Sequence, residues 1–117
     1  MSDNIKKGNE GENLAALFLV EKGYRIVQRN YRHKHSEIDL IAELNNLLVF
    51  VEVKTRSSLS FGYPEEFVDE KKISKILEGA DQYLYETNWQ GNVRYDVVSI
   101  QLGSSGPKIE HFEDAFH

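Results

Sequence analysis

Four charged side chains border two short apolar segments of the chain. Glu37 and Asp39 begin the first segment, and Glu52 and Lys54 end the second. Carboxylate oxygens held on a rigid hairpin are ligands that a hard cation such as Mg²⁺ or Mn²⁺ requires. A lysine beside such an ion can orient a water molecule or stabilise charge that develops on a phosphoryl oxygen. These residue types indicate metal-assisted hydrolysis, provided that the fold brings them together.

The two apolar segments predict a β-hairpin. Residues 37–44 and 47–54 are rich in Val, Ile, Leu and Phe, and Asn45-Asn46 separates them. Asparagine tolerates the left-handed backbone region, which suits a tight turn between two strands. The register of the hairpin then follows from where its turn is centred.

A turn centred between the asparagines places Asp39 opposite Glu52 and Glu37 opposite Lys54. Because side chains alternate along strands, we expect all four on one face, and that face to be the one that meets the core. It continues into the apolar row Ile41, Leu48 and Phe50. Two opposed carboxylates repel each other there, and burial raises their pKa values unless a cation offsets it. A metal site and a solvated sheet end, with Glu37 and Lys54 as a surface ion pair, both remain open.

The elements around the hairpin predict an α/β architecture. Apolar spacing indicates helices over residues 4–22, ended by Gly23, and over residues 66–86. Further strands are predicted at 24–30, 93–101 and 108–112, with a polar loop at 55–64. Leu14, Leu17, Phe18 and Glu21 recur at helical spacing on the first helix. The buried stripe of the second helix is expected to consist of Val68, Ile73, Ile76, Leu77, Ala80 and Leu84. The order α-β-β-β-α-β-β, with a crossover helix, predicts a mixed sheet flanked by helices.

Length and composition exclude several classes of protein. The 117 residues, 40% hydrophobic and 28% charged, suit one domain over 1–117. The absence of cysteine excludes disulfides, thiolate zinc sites and a thiol nucleophile. No apolar run approaches the roughly 20 residues of a membrane span, and residues 1–20 lack a signal-peptide layout. We expect a soluble, cytoplasmic protein.

Charge is distributed unevenly along the chain. The formal net charge of −5, from 14 basic and 19 acidic residues, argues against a protein that coats DNA non-specifically. The stretch from Lys22 to His35 is nevertheless basic and contains no acid. Arg29, Arg32 and Lys34 in this stretch are either phosphate ligands or part of a solvated strand edge.

The same residues carry a family resemblance. The strings Ser36-Glu-Ile-Asp39-Leu-Ile-Ala and Phe50-Val-Glu52-Val-Lys54-Thr-Arg56 resemble the PD-(D/E)XK nuclease superfamily. The chain is most similar to the YraN-type group of small bacterial endonuclease-like proteins, and more distantly to archaeal Holliday-junction resolvases. The likeness also includes Gly11-Glu12, Ala15-Ala16, Gly23-Tyr24, Arg29-Asn30-Tyr31-Arg32, Gly62, Lys72, Ala80 and Arg94-Tyr-Asp-Val-Val98. Ser36 stands where the group usually has glycine.

This resemblance implies a restriction-endonuclease-like core and a site for Mg²⁺ or Mn²⁺. Asp39, Glu52 and the backbone carbonyl of Val53 would ligate the ion, and Glu12 would complete the site through a metal-bound water. Lys54 would be the catalytic lysine. Glu37, the acid before the core aspartate, either belongs to the site or only pairs with Lys54.

DNA is the substrate that the resemblance implies, ahead of RNA. Arg56, Arg29, Arg32 and Lys72 are the candidate nucleic-acid ligands, and a protomer of this size favours a homodimer or a protein partner. The expected activity is a metal-dependent DNA endonuclease, structure-specific in repair or recombination. The alternative is a nucleic-acid-binding or adaptor module that retains the fold without turnover.

Several other residues are interpreted as structural. Trp89 is expected to pack at the end of the second helix, and Asp96 to pair near Arg94. The four histidines show no metal-ligand spacing with the acids and are interpreted as surface or stabilising residues: His33, His35, His111 and His117.

Overall fold

The computed structural model describes residues 3–56 and 69–116, with side chains for residues 9–56 and 69–116. The elements are α1 (Asp3–Glu21), β1 (Arg25–His33), β2 (Ser36–Leu44), β3 (Leu47–Arg56), α2 (Glu70–Thr87), β4 (Asn92–Gln101) and β5 (Lys108–Phe112). The predicted order of elements is confirmed. Most of the loop predicted at 55–64, the start of the second helix, Val68, Gly62 and His117 lie outside the described residues.

The strands form one five-stranded mixed sheet in the order β1-β2-β3-β4-β5. The pairs β1–β2, β2–β3 and β4–β5 are antiparallel, whereas β3 and β4 are parallel. A parallel pair needs a long crossover connection, and α2 lies in it. The mixed sheet and its crossover helix are therefore confirmed.

One helix packs on each face of this sheet. On one face, Ala15 and Leu19 of α1 lie in a buried cluster with residues of β2, β3 and β4. On the other face, Ile76 and Ala80 of α2 pack against a second cluster that contains Phe50. None of the helices among the described residues is long and apolar enough to cross a membrane.

The buried positions of the two helices differ in part from the apolar rows in the sequence. Leu17 is 62% exposed, because Ala15 and Leu19 take the inward face of α1. Leu77, predicted in the buried stripe of α2, is half-buried and lines an open groove together with Ile73 and Glu70.

Ends of the helices follow from local backbone chemistry. Gly23, with a φ of 99°, follows α1 in a conformation that favours glycine. Asp69 caps α2 by accepting a hydrogen bond from the backbone N–H of Lys72 at 2.8 Å. Asn88 ends α2 with a left-handed φ of 53°.

The side chain of Ser36 ties β2 to α2. Its hydroxyl donates to the carbonyl of Lys75 at 2.5 Å, and Ser36 is buried. A Cβ on Gly79 would lie 2.9 Å from the Cβ of Ser36. Glycine at this position lets the middle of α2 approach the start of β2 closely, which holds the helix beside the hairpin.

Candidate active site

The β2–β3 hairpin has the register that the sequence predicts. Pairing extends from Leu44 and Leu47 beside the turn to Leu40 and Val51. Asn45 has a left-handed φ of 55°, as a tight turn requires. The next residue away from the turn is Asp39 on β2 and Glu52 on β3. The hairpin therefore brings the two predicted acids to the same distance from the turn.

The two strands separate at Asp39. Its carboxylate accepts a hydrogen bond from the backbone N–H of Val53 at 2.8 Å, which satisfies that N–H in place of a strand carbonyl. Ile38 and Ile41 pack in one cluster, although strict alternation would place them on opposite faces. Glu37, the neighbour of Ile38, therefore lies on the other face from Ile41, and the prediction that these two residues share a face is wrong, because β2 is irregular at this point.

Glu52 is a buried acid at the end of the apolar row of β3, with 5% exposure. Its Oε2 lies 3.6 Å from Nζ of Lys54 and 3.5 Å from Nζ of Lys72. Lys54 follows two positions along the same strand, on the face that the alternation predicts. Lys72 comes from the first turns of α2. A buried carboxylate requires such compensation by positive charge, and here two ammonium groups share one oxygen.

Glu37 pairs with Arg32 of the neighbouring strand. The two residues are cross-strand partners, and their charged groups lie 3.2 Å apart. The predicted ion pair between Glu37 and Lys54 is wrong, since Lys54 turns toward Glu52. Both groups of the Arg32–Glu37 pair are well exposed, so the pair adds little to stability.

Helix α1 reaches the same region through a close contact with β3. A Cβ on Gly11 would lie 2.9 Å from the Cβ of Thr55, so a larger residue would push the helix away from the strand. The next residue in α1 is Glu12, which is half-buried. The glycine thus sets the position of the acid that follows it.

Glu12 lies in an electrostatic environment that it shares with the hairpin acids. Burial raises the pKa of Glu12 above its ordinary value, and the nearby carboxylates of Glu37 and Glu52 act in the same direction. A hydrogen bond with Asn30 and the charge of Arg29 oppose this rise in pKa. The three carboxylates are therefore close enough to influence one another.

Asp39 is the most perturbed acid of this group. Burial, with the adjacent charge of Glu52 and the more distant one of Glu12, raises the pKa of Asp39 to about 7. The hydrogen bond from Val53 and the charge of Lys72 lower it only in part. Acids with strongly raised pKa values in a cleft are typical of functional sites.

The predicted basic residues lie on the strands that border these acids. Arg29 and Arg32 are exposed on the edge strand β1, where Arg29 donates to the side chain of Asn13 at 2.7 Å. Lys34 is exposed in the following turn. Arg56 ends β3, and its carbonyl accepts a hydrogen bond from Leu102 at 2.6 Å.

A second charged cluster lies away from this site, at the end of α1. Asp96 is fully buried and accepts two hydrogen bonds from Arg94, at 2.8 and 2.7 Å. His111 Nε2 lies 2.7 Å from Asp96, and Nζ of Lys22 lies 2.8 Å from Nδ1. Because an ammonium group only donates, Nδ1 accepts and Nε2 carries the hydrogen bonded to Asp96.

The second cluster bears on two predictions. The pairing of Asp96 with Arg94 is confirmed. Of the two interpretations of His111, surface or stabilising, the structure supports the second, since its side chain is 3% exposed and contacts Asp96. Burial acts to raise the pKa of Asp96, but hydrogen bonds from His111, Arg94 and the backbone of Asp114 outweigh it and hold the pKa below its ordinary value. The sequence signal for this cluster was an acid within the apolar run of β4, two positions after an arginine.

The donor chemistry around the hairpin fits a hard divalent cation. Asp39, Glu52, Glu12 and the carbonyl of Val53 supply only oxygen atoms, as Mg²⁺ prefers. Among the residues that the structure describes, no three acidic, histidine or cysteine side chains are close enough to form an assembled metal centre. Instead, Glu52 contacts two lysines, and the carboxylate of Asp39 accepts a backbone N–H.

Fold and site together define a mixed α/β protein. Its candidate site holds the acids Asp39 and Glu52 and the lysines Lys54 and Lys72 where β2 and β3 separate, and the basic strand β1 forms the adjacent edge of the sheet. Residues 11–100 match the model of Uncharacterised protein family UPF0102, and the chain belongs to this family. The predicted likeness to the YraN-type group is confirmed at this level.

Relatives from several bacteria match nearly the whole chain. A UPF0102 protein of Cytophaga hutchinsonii is 50% identical over 98 residues, which cover 84% of this chain and 87% of the relative. One of Alkaliphilus oremlandii is 49% identical over 118 residues, covering 97% and 99%. One of Flavobacterium psychrophilum is 40% identical over 117 residues, covering 100% and 98%.

A solved structure is more distantly similar. SfsA of Pyrococcus furiosus, in complex with Ca²⁺, matches with a TM-score of 0.40 and 18% sequence identity. The match covers 94% of this chain and 63% of that one.

Proposed function

We propose that this protein is a metal-dependent endonuclease that hydrolyses phosphodiester bonds in DNA on a restriction-endonuclease-like core. The observation that carries the proposal is the meeting of Asp39 and Glu52 where β2 and β3 separate, with Nζ of Lys54 3.6 Å from Glu52. The acidic pair also serves the structure, since Asp39 accepts the N–H of Val53 and Glu52 is balanced by two lysines. Its carboxylate oxygens are in addition a ready set of ligands for a hard cation.

In this proposal Asp39, Glu52 and the carbonyl of Val53 hold Mg²⁺ or Mn²⁺, and Glu12 joins through a water molecule. Such an ion, when bound, neutralises charge on the scissile phosphate and lowers the pKa of an attacking water. Lys54 stabilises negative charge at the phosphoryl centre, because its ammonium group lies beside Glu52. The role of Asp39 includes keeping the hairpin open through its hydrogen bond with Val53.

Binding of DNA rests on the basic groups around these acids. Arg29 and Arg32 of the edge strand, Arg56 at the end of β3 and Lys72 of α2 contact backbone phosphates in this proposal. Phosphate contacts of this kind position a duplex without reading its sequence. A local basic face reconciles DNA binding with the net charge of −5.

The size of the protomer favours an assembly. A 13.5 kDa chain covers a short stretch of DNA, so a homodimer or a protein partner supplies the rest of the contact in this proposal. Structure-specific cleavage in repair or recombination is the setting that the resemblance to resolvases suggests. That part of the proposal rests only on the analogy with proteins of similar fold.

The proposal is tested by cleavage of labelled duplex, single-stranded and four-way-junction DNA in Mg²⁺ or Mn²⁺, with EDTA as the metal-free control. We expect the wild type to cut at least one of these and Glu52→Gln to be at least 100-fold slower. Glu52→Gln is nearly isosteric, so its folding is checked by circular dichroism. Equal cleavage by both proteins would contradict the proposal, because a contaminating nuclease would then be responsible.

A second function, a binding module without turnover, is favoured by one observation. Both ammonium groups near Glu52 already balance its charge, as structural ion pairs would. In this alternative the protein binds DNA with an affinity that depends on salt. It cuts none of the DNA substrates, whether Mg²⁺ or Mn²⁺ is present. DNA binding with no cleavage by the wild type would select it.

A further inference from the structure

Two lysines from different elements converge on a single oxygen atom. Nζ of Lys54, from β3, and Nζ of Lys72, from α2, lie 3.6 and 3.5 Å from Oε2 of Glu52. The Glu52 side chain is only 6% exposed, so its charge has little help from solvent. The lysines therefore act as its counter-cations in the free protein.

This arrangement competes with a divalent cation for the same carboxylate. An ion that ligates Glu52 would lie within a few ångströms of both ammonium groups, where like charges repel strongly at low dielectric. Electrostatics therefore favour metal binding only after at least one ammonium group has moved away. The phosphate of a nucleic acid is the anion that could draw it away.

We propose that Lys72 forms an ion pair with Glu52 in the free protein and moves to a nucleic-acid phosphate when the substrate binds. Because this movement frees Glu52 for a metal ion, metal and DNA bind cooperatively. This inference rests on the proposed function. Lys72 then has two roles. It is a phosphate ligand, and it is a positioning residue that controls through Glu52 whether the metal ion can bind.

Lys72 is better suited to this exchange than Lys54. Its side chain is 44% exposed, against 26% for Lys54, so a phosphate can reach it from solvent. Its backbone is fixed by the cap at Asp69, so only the flexible side chain has to move. Helix α2 is in turn held on β2 by the hydrogen bond from Ser36 to Lys75.

The experiment is calorimetric titration of Mn²⁺ into the free protein, comparing wild type with Lys72→Met. We expect Lys72→Met to bind Mn²⁺ on the order of tenfold more tightly, because one competing charge is gone. Lys71→Met, an exposed neighbour on the same helix turn, is the matched control and should behave as the wild type. Lys72→Arg keeps the charge and should restore weak binding. Thermal unfolding of each variant checks that the fold is retained.

A second arm measures the coupling itself. Binding of a fluorescent 20-base-pair duplex is followed by anisotropy with and without Ca²⁺, used as the probe ion so that the duplex stays intact. Ca²⁺ should tighten DNA binding by the wild type at least tenfold, and by Lys72→Met less than threefold, because linkage is reciprocal. This readout is independent of cleavage.

The two arms separate failure of the inference from failure of the proposed function. Unchanged Mn²⁺ affinity in Lys72→Met would overturn the inference, even if the wild type cuts DNA. Equal tightening by Ca²⁺ in both proteins would also overturn it. Absence of DNA binding by the wild type would refute the proposed function and, with it, the coupling.

Discussion

The carboxylate of Asp39 accepts the backbone N–H of Val53 at 2.8 Å, directly beyond the last paired residues of β2 and β3. A side chain thus replaces a strand carbonyl as hydrogen-bond acceptor and lets the hairpin open without leaving an N–H unsatisfied. The pairing ends just before Glu52, and this acid is the next residue of β3 after Val51. The geometry of the site therefore depends on a residue that is also its proposed ligand.

Stability of the metal-free protein should fall as pH rises through neutrality. Burial, with the charge of Glu52, raises the pKa of Asp39 from 3.8 to about 7, so the folded state holds a proton that the unfolded state has lost. The stabilisation is complete below pH 4 and lost as pH passes about 7, by ~2 kcal/mol after solvent screening. Urea unfolding in EDTA at several pH values measures it. Asp39→Asn should lack this part of the pH dependence, and an unchanged profile would contradict the assignment.

Gly11→Ala should displace α1 from β3. The added methyl group would meet the side chain of Thr55, with 2.9 Å to its Cβ, which rotation cannot relieve. We expect a loss of about 1–3 kcal/mol in the free energy of unfolding. Because Glu12 moves with the helix, cleavage by the folded fraction should fall as well. Thr55→Gly in the same chain removes the contact and should recover stability relative to Gly11→Ala alone; failure to recover would show that the contact is not the cause.

Asp96→Asn should destabilise the fold without altering the site. The substitution removes the buried charged partner of the Arg94 guanidinium and leaves it only the exposed carboxylate of Glu113, at a cost of about 3 kcal/mol. Hydrogen bonds from His111 and Arg94 hold the pKa of Asp96 low against burial, so its contribution is present above pH 4 and lost as pH falls below it. Thermal unfolding at pH 7 and at a pH well below 4 should show a smaller difference between the two proteins at the lower pH. DNA cleavage per folded molecule should match the wild type.

Replacing Arg29 and Arg32 should weaken DNA binding uniformly across sequences. Removing one cation from a DNA phosphate lowers the slope of log affinity against log salt by about 0.9. Arg29→Ala and Arg32→Ala should each reduce this slope by about one, measured by anisotropy between about 50 and 200 mM salt. Arg25→Ala is the matched control on the same strand, since Arg25 pairs with Glu43 at its opposite end. A slope that changes equally in the control would argue against a basic face at the site.

Local patterns were sufficient to predict the architecture. The hairpin register follows from the position of Asn45-Asn46, and the observed pairs agree with it. The crossover between β3 and β4 follows from the long helix between them. Both features depend on residues that are neighbours in sequence or on short-range alternation.

Contacts between distant segments could not be predicted in the same way. Lys72 reaches Glu52 only because α2 packs on the hairpin, and the sequence marked it only through resemblance. The buried position of His111 depends on the pairing of β5 with β4 and on Lys22 of α1. The irregularity of β2 between Ile38 and Ile41 overrides the alternation on which the predicted face relied.

Asp39 and Glu52 are central to the proposed function because together they would bind a divalent cation in the presence of DNA. The most direct test is the retention of Mn²⁺ by the protein–DNA complex, measured by electron paramagnetic resonance for wild type, Asp39→Asn and Glu52→Gln, with DNA alone as background. We expect saturable Mn²⁺ binding in the wild-type complex and at least a tenfold loss of affinity in each variant. Equal Mn²⁺ binding by all three complexes would contradict a metal site at these two acids.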